Sequence, residues 1–346
     1  MIGIVGYGAY IPVYRIKTKE IARIWGRNFQ SVIRGLIVEE KSLPAIDEDT
    51  TTMGVEASLN ALKRAKIDPK GIGAVYCGSE TPAYAVKPNI TTIGETIGAT
   101  PNFTGADLEF ACKAGTAAIQ ICMGLVKANY IKYGLAIGAD TAQYHLEDIG
   151  DHCTGAGAAA FLIGNKENEI IAEIEGTYSC TTDTPDFWRR DQEKLPWHAE
   201  RFTGSPAYFR HIIFATKTLM KNLNLKPPDI DHAVFHSPNG KFVVKAAKTL
   251  GFDKEQIKAG FIVNKIGNTY SAASLLGLTA VLDRAKAGER ILMTSFGSGA
   301  GSDSFSIKVT DKIKDKINLA KTTQEYLDNK KYVDYATYCK FTGRLE

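Results

Sequence analysis

The sequence predicts an α/β protein made of two duplicated β/α halves, and two observations carry this. Short apolar runs ending in glycine alternate with helix-spaced segments along most of the chain. One pattern also occurs twice. Its first copy is an alanine-rich helix over residues 115–128, a strand over 134–138, Gly155-Ala156-Gly157, and a strand over 158–163. Its second copy is a helix over 271–285, a strand over 290–294, Gly297-Ser298-Gly299, and a strand over 304–307. Cys112 and Asn268 hold matching positions before the two helices. Such a repeat predicts stacked halves facing each other with the site between them. The halves are expected at 1–166 and 167–346, the second with an insertion over 180–210 and a tail over 311–346.

Residues 2–7 read as a buried strand closed by glycine, and 14–38, mixed and basic, as a loop followed by a helix. Residues 49–66 carry Met53, Val55, Ala57, Leu59, Leu62 and Ala65 at helical spacing, with Thr50 to Thr52 available as caps. A strand over 72–77 runs into Gly78-Ser79-Glu80-Thr81-Pro82, leaving Glu80 at its C-terminal edge. Residues 90–97 are helical, 103–110 lead into Cys112, and a strand over 133–138 precedes a polar loop reaching Asp151. A strand over 169–178 opens the second half, followed by the insertion with Trp188 and Trp197. A helix over 209–223 and a short strand over 233–236 come next, the strand ending in His236-Ser237-Pro238-Asn239-Gly240. Helices over 241–250 and 271–287 follow, then strands over 290–295 and 304–309 around a glycine loop. A charged helix over 312–331 and a Tyr-rich tail close the chain.

With 346 residues, 44% hydrophobic and 23% charged, the chain has an ordinary globular composition and enough length for two cores. A net charge of +4 is too small to argue for nucleic acid. The six cysteines form no CxxC pair, which points to a reducing compartment without disulfides or a CxxC zinc site. The N-terminus lacks the basic region of a signal peptide, and no apolar run reaches membrane-spanning length. The expectation is a cytoplasmic protein with no membrane or nucleic-acid partner.

The chemistry is sought in Glu80, Cys112, His236 and Asn268. Cys112 lies among small residues where a loop becomes an apolar helix, and the positive end of a helix favours a thiolate and an adjoining oxyanion. Each residue also has an ordinary explanation. Cys112 would serve as a small core residue, Glu80 as a capping or solvated carboxylate, His236 as a structural histidine, and Asn268 as turn chemistry. Their joint occurrence in a duplicated α/β chain favours the functional alternative.

The chain resembles 3-hydroxy-3-methylglutaryl-CoA synthases of the archaeal type, in the thiolase superfamily. The likeness rests on Gly78-Ser79-Glu80, Ala111-Cys112-Lys113-Ala114-Gly115, Gly138-Ala139-Asp140-Thr141-Ala142-Gln143-Tyr144 and Gly155-Ala156-Gly157-Ala158 in the first half. In the second it rests on His236-Ser237-Pro238-Asn239-Gly240-Lys241, Gly267-Asn268-Thr269-Tyr270-Ser271-Ala272-Ala273 and Phe296-Gly297-Ser298-Gly299-Ala300. It spans residue 1 to about 310. It implies a five-layered αβαβα thiolase-like fold, a homodimer, and an acyltransferase that condenses acetyl-CoA with acetoacetyl-CoA in the mevalonate pathway to isoprenoids.

On the matching motifs, Cys112 is implied as the nucleophile, Glu80 as the base that deprotonates the acetyl group, and His236 and Asn268 as groups polarising the second substrate's ketone. The N–H groups of Cys112 and Ser298 are candidates for the oxyanion hole, because glycine-flanked loops allow close approach. Tyr144 and Tyr270 are expected to line the pocket, with plain core packing as the alternative. Lys241 and Lys245, four apart on one helix, are candidates for the CoA phosphates, with a solvated basic face as the alternative. No cofactor or metal is expected, coenzyme A thioesters being substrates. The loop from His145 to Cys153 departs from the bacterial and eukaryotic pattern and offers ligand types, but its spacing fits no compact tetrahedral metal site.

The resemblance further implies a complex with acetoacetyl-CoA thiolase and a small zinc-ribbon/OB-fold protein, for which the Tyr-rich tail is either a docking surface or a segment packed on its own domain. Two competing functions are an initiating-type β-ketoacyl carrier-protein synthase, against which Glu80 and Tyr270 argue, and a non-catalytic thiolase-binding scaffold. A biosynthetic thiolase lacks a match for its second cysteine, Cys339 lying in the tail.

Overall fold

The computed structural model describes residues 1–345, so residue 346 of the expected second half lies outside it. Strand β1 (Gly3–Tyr10) is followed by β2 (Tyr14–Lys17), helices α1 (Thr18–Ile24) and α2 (Phe29–Leu36), and β3 (Glu40–Leu43). The expected loop and single helix over 14–38 are therefore a strand and two helices. Gly26 at φ +60° breaks the helical path, and Asn28 restarts it by accepting the Ser31 N–H at 3.0 Å. Next is α3 (Thr50–Ala65). Its cap is Asp49 rather than the threonines: Asp49 accepts the Thr52 N–H while Thr52 Oγ1 accepts the Asp49 N–H, both at 2.8 Å.

Strand β4 (Ile72–Gly78), α4 (Asn89–Thr96), β5 (Thr104–Leu108), α5 (Ala114–Lys127), β6 (Tyr133–Thr141) and β7 (Ala156–Gly164) complete the first half. The second opens with β8 (Ala172–Thr181). Within the insertion, β9 (Phe187–Trp188) and β10 (Trp197–His198) form a small hairpin. Then come α6 (Arg210–Asn222), β11 (His232–Phe235), α7 (Gly240–Leu250), α8 (Lys254–Lys258), α9 (Val263–Ile266), α10 (Ala273–Leu282), β12 (Arg290–Thr294) and β13 (Gly301–Val309). The chain closes with α11 (Thr323–Asp328), β14 (Lys331–Tyr332) and α12 (Tyr335–Phe341).

The strands run in the order β11-β12-β13-β8-β1-β7-β6-β4-β5. In the first half β4 pairs parallel with β5 and β6, while β7 is antiparallel to β6 and β1. The run β11-β12-β13-β8 repeats the run β4-β6-β7-β1, with one parallel pair followed by two antiparallel ones. The halves join where β1 pairs with β8, through Gly3 with Glu173 and Ile4 with Ala172.

Packing gives five layers. Helices α3 and α4 cover the outer face of the first sheet in one apolar core, and α6 and α7 cover the second sheet in another. Between the sheets lie α5 and α10, whose Ile119, Cys122, Leu275 and Leu278 share the central core with Phe161 and Phe305. Every residue of α10 is buried, as its all-round apolar sequence requires. Among the described residues no helix is long and apolar enough to cross a membrane.

The charged helix expected over 312–331 is not formed. The segment makes 3₁₀ turns at Asp311–Asp315 and Ile317–Leu319 before α11. Tertiary contacts override its helical propensity. Ile313 and Tyr326 insert into the central core, and Arg64 takes the carbonyls of Ala320 and Lys321 at 2.9 Å each. The Tyr-rich tail packs on its own chain, with Tyr335, Tyr338 and Cys339 buried against Ile16, Ile21 and Leu43.

Candidate active site

The ends of β4, β6 and β11 and the heads of α5 and α10 converge at the junction of the two halves. Gly78 closes β4 against the head of α5, where a Cβ would fall 2.2 Å from the carbonyl carbon of Ala114. Glu80 follows in the next turn. Asp140, near the end of β6, is fully buried and organises that turn. Its Oδ1 accepts the N–H groups of Glu80 at 2.8 Å and Thr81 at 2.9 Å, and the hydroxyls of Ser79 at 2.8 Å and Thr81 at 2.7 Å. Its Oδ2 accepts the N–H and hydroxyl of Ser271 at 2.9 and 2.6 Å, ahead of α10. One carboxylate thus ties the turn bearing Glu80 to the second half.

Cys112 lies one residue before Lys113, the N-cap of α5, and follows Ala111 at φ +43°, a conformation non-glycine residues rarely adopt. Lys113 anchors the turn on the second half through Asp303 Oδ2 at 3.1 Å. The Cys112 thiol donates to Glu80 Oε1 at 2.9 Å. Contrary to the expected thiolate, burial first and the Glu80 charge second hold this thiol well above the ordinary cysteine range. Desolvation and a carboxylate partner outweigh the helix dipole here. Glu80 is pushed up to about 8, by burial first and the Asp140 charge second, against the hydrogen bond from Cys112 and the charge of Arg189. Arg189, from the insertion, also donates to the Glu80 carbonyl at 2.8 Å.

His236 follows β11, whose pairing continues through its N–H to the Thr294 carbonyl at 2.9 Å. Tyr208 O–H donates to the His236 carbonyl at 2.7 Å. Burial pushes the imidazole down to about 3, so the ring is neutral at ordinary pH. Asn268 follows Gly267, whose φ of +73° needs glycine. The Asn268 N–H donates to the Cys153 carbonyl at 2.5 Å, and its carbonyl accepts the Gly155 N–H at 2.8 Å. Its side-chain oxygen accepts the Tyr270 N–H at 3.0 Å, which leaves the NH₂ as the group able to meet a substrate oxygen.

One cleft is lined by Cys112, His236, Asn268, Tyr144, Tyr270 and Ser298, with Glu80 behind the sulfur. The buried Tyr144 hydroxyl and His236 Nδ1 have no hydrogen-bond partner among the described residues. Lys241 and Lys245 are not brought into the cleft. Both are exposed on α7, and the ammonium of Lys245 lies 4.5 Å from the ring centre of Phe209. Among the described residues no group of three His, Cys, Asp or Glu side chains is arranged for a metal. In the His145–Cys153 loop, Asp151 pairs instead with Lys41, while Ile149, Gly150 and Cys153 form cleft wall.

The sequence reading gave no role to Asp140, though a lone acid closing an apolar strand was a usable signal. It also missed Phe187 and His198, which the insertion carries into the cleft. The Phe187 ring meets Tyr270 edge-on at 6.0 Å, and nothing in the local sequence marks that contact.

A family model described as hydroxymethylglutaryl-coenzyme A synthase N terminal matches residues 1–168. A second, described as 3-oxoacyl-[acyl-carrier-protein] synthase III C terminal, matches residues 220–309. The hydroxymethylglutaryl-CoA synthase of Methanocaldococcus jannaschii is 59% identical over 346 residues, covering 100% of both chains. The chain belongs to the hydroxymethylglutaryl-CoA synthase family. The family member from Methanopyrus kandleri is 57% identical over 345 residues, covering 100% of this chain and 98% of its own. A crystal structure of an HMG-CoA synthase complexed with CoA superimposes with a TM-score of 0.88 at 24% identity, over 98% of this chain and 89% of that one. This likeness establishes the thiolase-like fold for the present member of the synthase family.

Proposed function

We propose that the protein is a hydroxymethylglutaryl-CoA synthase, an acyltransferase that converts acetyl-CoA, acetoacetyl-CoA and water into HMG-CoA and CoA for the mevalonate route to isoprenoids. The observation that carries the reading is the 2.9 Å contact between the Cys112 sulfur and the Glu80 carboxylate, beside His236 and Asn268 in one cleft. The Cys112 sulfur attacks the acetyl thioester, and its proton passes to the departing CoA sulfur. The ionised Glu80 then removes a proton from the methyl group of acetyl-Cys112. A carboxyl raised to about 8 is matched to that task near neutrality. The enolate carbon attacks the ketone of acetoacetyl-CoA, whose oxygen, hydrogen-bonded by neutral His236 and by Asn268, takes up the proton that Glu80 removed. Water cleaves the thioester to Cys112, giving the free carboxylate and restoring the thiol, while the CoA thioester stays in the product. The N–H groups of Cys112 and Ser298 serve the thioester oxyanion, and Tyr144 and Tyr270 form the pocket wall.

Lys241 and Lys245, exposed beside the cleft-lining Asn239 and Phe242, are proposed to meet the CoA phosphates outside it. No cofactor is required. A homodimer is proposed on the resemblance, supported by β5, an edge strand with Thr104 to Ala106 exposed. A complex with acetoacetyl-CoA thiolase and the small zinc-ribbon/OB-fold protein rests on the resemblance alone. A cytoplasmic location is supported by six cysteines that are all free.

The match of residues 220–309 to a carrier-protein synthase model favours one second reading, a decarboxylating ketoacyl synthase. Such an enzyme has no use for a carboxylate on the nucleophile. Mass spectrometry after mixing with acetyl-CoA tests the proposal: an acetyl adduct on Cys112 is expected, discharged as HMG-CoA on addition of acetoacetyl-CoA. Condensation only with a malonyl donor would replace it by the second reading.

A further inference from the structure

Lys41, Asp151 and Tyr338 form a buried charged cluster that the mechanism does not use. None is more than 2% exposed. Lys41 Nζ lies 3.3 Å from Asp151 Oδ1 and donates to Tyr338 Oη at 3.1 Å, and the Tyr338 hydroxyl donates to the same Asp151 oxygen. Burying two charges costs several kcal/mol before their attraction offsets it, so a buried pair is weak evidence of a purely stabilising role. Its location suggests a different one. Asp151 lies in the 3₁₀ turn Ile149–His152, and the three residues that follow hold the backbone of Asn268. Cys153 accepts its N–H, Thr154 forms a β-bridge to it, and Gly155 donates to its carbonyl.

A second link from the same tail reaches the neighbouring wall. Arg344 donates to Gln143 Oε1 through Nη2 at 3.1 Å and Nε at 3.3 Å. The Gln143 carbonyl accepts the Tyr270 hydroxyl at 2.9 Å. The tail itself is seated on the first half through Trp25 Nε1, which donates to Tyr335 Oη at 2.8 Å.

We propose that the C-terminal segment, through Tyr338 on Asp151 and Arg344 on Gln143, is a brace that positions Asn268 and Tyr270 for the second substrate. The brace matters to turnover only through the role given to Asn268 above, and Tyr338 and Arg344 are positioning residues rather than catalytic ones. The two links start from separate tail residues and end on residues two apart. Because Asn268 is assigned to the second substrate, losing the Tyr338 link should affect condensation more than acetylation.

The test uses the full chain with Tyr338→Phe, which keeps the buried ring and removes only the hydroxyl, and Arg344→Gln as a second variant. Amide hydrogen exchange should quicken in residues 153–155 and 267–270 of Tyr338→Phe and stay unchanged in 112–127. The KM for acetoacetyl-CoA should rise about threefold to tenfold, with the rate of Cys112 acetylation within about twofold of the parent. Combination with Asn268→Ala should add little to the loss caused by Asn268→Ala alone. Unchanged exchange in 267–270, or an equal fall in both half-reactions, overturns the brace. If exchange quickens as expected while Asn268→Ala still condenses at the parental rate, the brace stands and the role given to Asn268 falls.

Discussion

The backbone N–H of Glu80 donates to Asp140 Oδ1 at 2.8 Å, so the proposed base is held by another carboxylate. The contact fixes where Glu80 stands, and the Asp140 charge helps keep its proton affinity high. Asparagine in place of Asp140 would have one acceptor oxygen for six donated hydrogen bonds. Asp140→Asn should lower stability by about 3 kcal/mol, since leaving buried donors unmatched costs about 1–3 kcal/mol each. Condensation should fall at least tenfold. Denaturant unfolding with steady-state rates checks both, and a variant of parental stability would remove Asp140 from this organising role.

Glu80→Gln should still acquire acetyl on Cys112 but lose condensation by about a hundredfold to ten-thousandfold, the usual range for removal of a general base. Intact-mass measurement follows the first step and product analysis the second. Loss of acetylation to the same degree would show that the carboxylate is needed already at thioester exchange.

The pH dependence follows from the two shifted groups. As the proposed base Glu80 acts ionised and titrates at about 8, so the condensation rate of pre-acetylated protein should climb through pH 8 and level off about one unit above it. His236, pushed down to about 3, stays neutral throughout and adds no limb. Stability should move oppositely. Between the ordinary value of 4.5 and about 8 the folded chain holds a proton on Glu80 that the unfolded chain has released. Stability therefore falls as pH rises through that window. Glu80→Gln should melt above the parent at pH 8 and converge with it below pH 4.5, as scanning fluorimetry would reveal.

Gly78→Ala should separate Glu80 from Cys112, the two groups proposed to react. The added methyl would stand 2.2 Å from the carbonyl carbon of Ala114, closer than any real contact, so the turn bearing Glu80 must move from the head of α5. Both half-reactions should drop more than tenfold, unlike the selective loss in Glu80→Gln. Partial-reaction assays on the two variants side by side make the comparison.

Much of this site was legible because its residues stand where periodicity changes. Glu80 and His236 follow strands, and Cys112 and Asn268 precede the two apolar helices, so the duplication alone aligned the latter pair. What stayed hidden depends on partners distant in the chain. Residues 312–331 carry helical propensity, yet Arg64 and the central core draw them into turns. The protonated state of Cys112 reflects burial beside Glu80, a pairing 32 residues apart that local sequence cannot express. The lysines of α7 have the right spacing for a phosphate, but spacing says nothing of the face on which the helix docks.

The Cys112 sulfur and the groups proposed for the second carbonyl share one cleft, and both proposed substrates are thioesters of the same carrier. The two must therefore take turns. The first carrier should depart before the second arrives, so initial-rate plots should run parallel and surplus acetoacetyl thioester should stall turnover by occupying the unacylated enzyme.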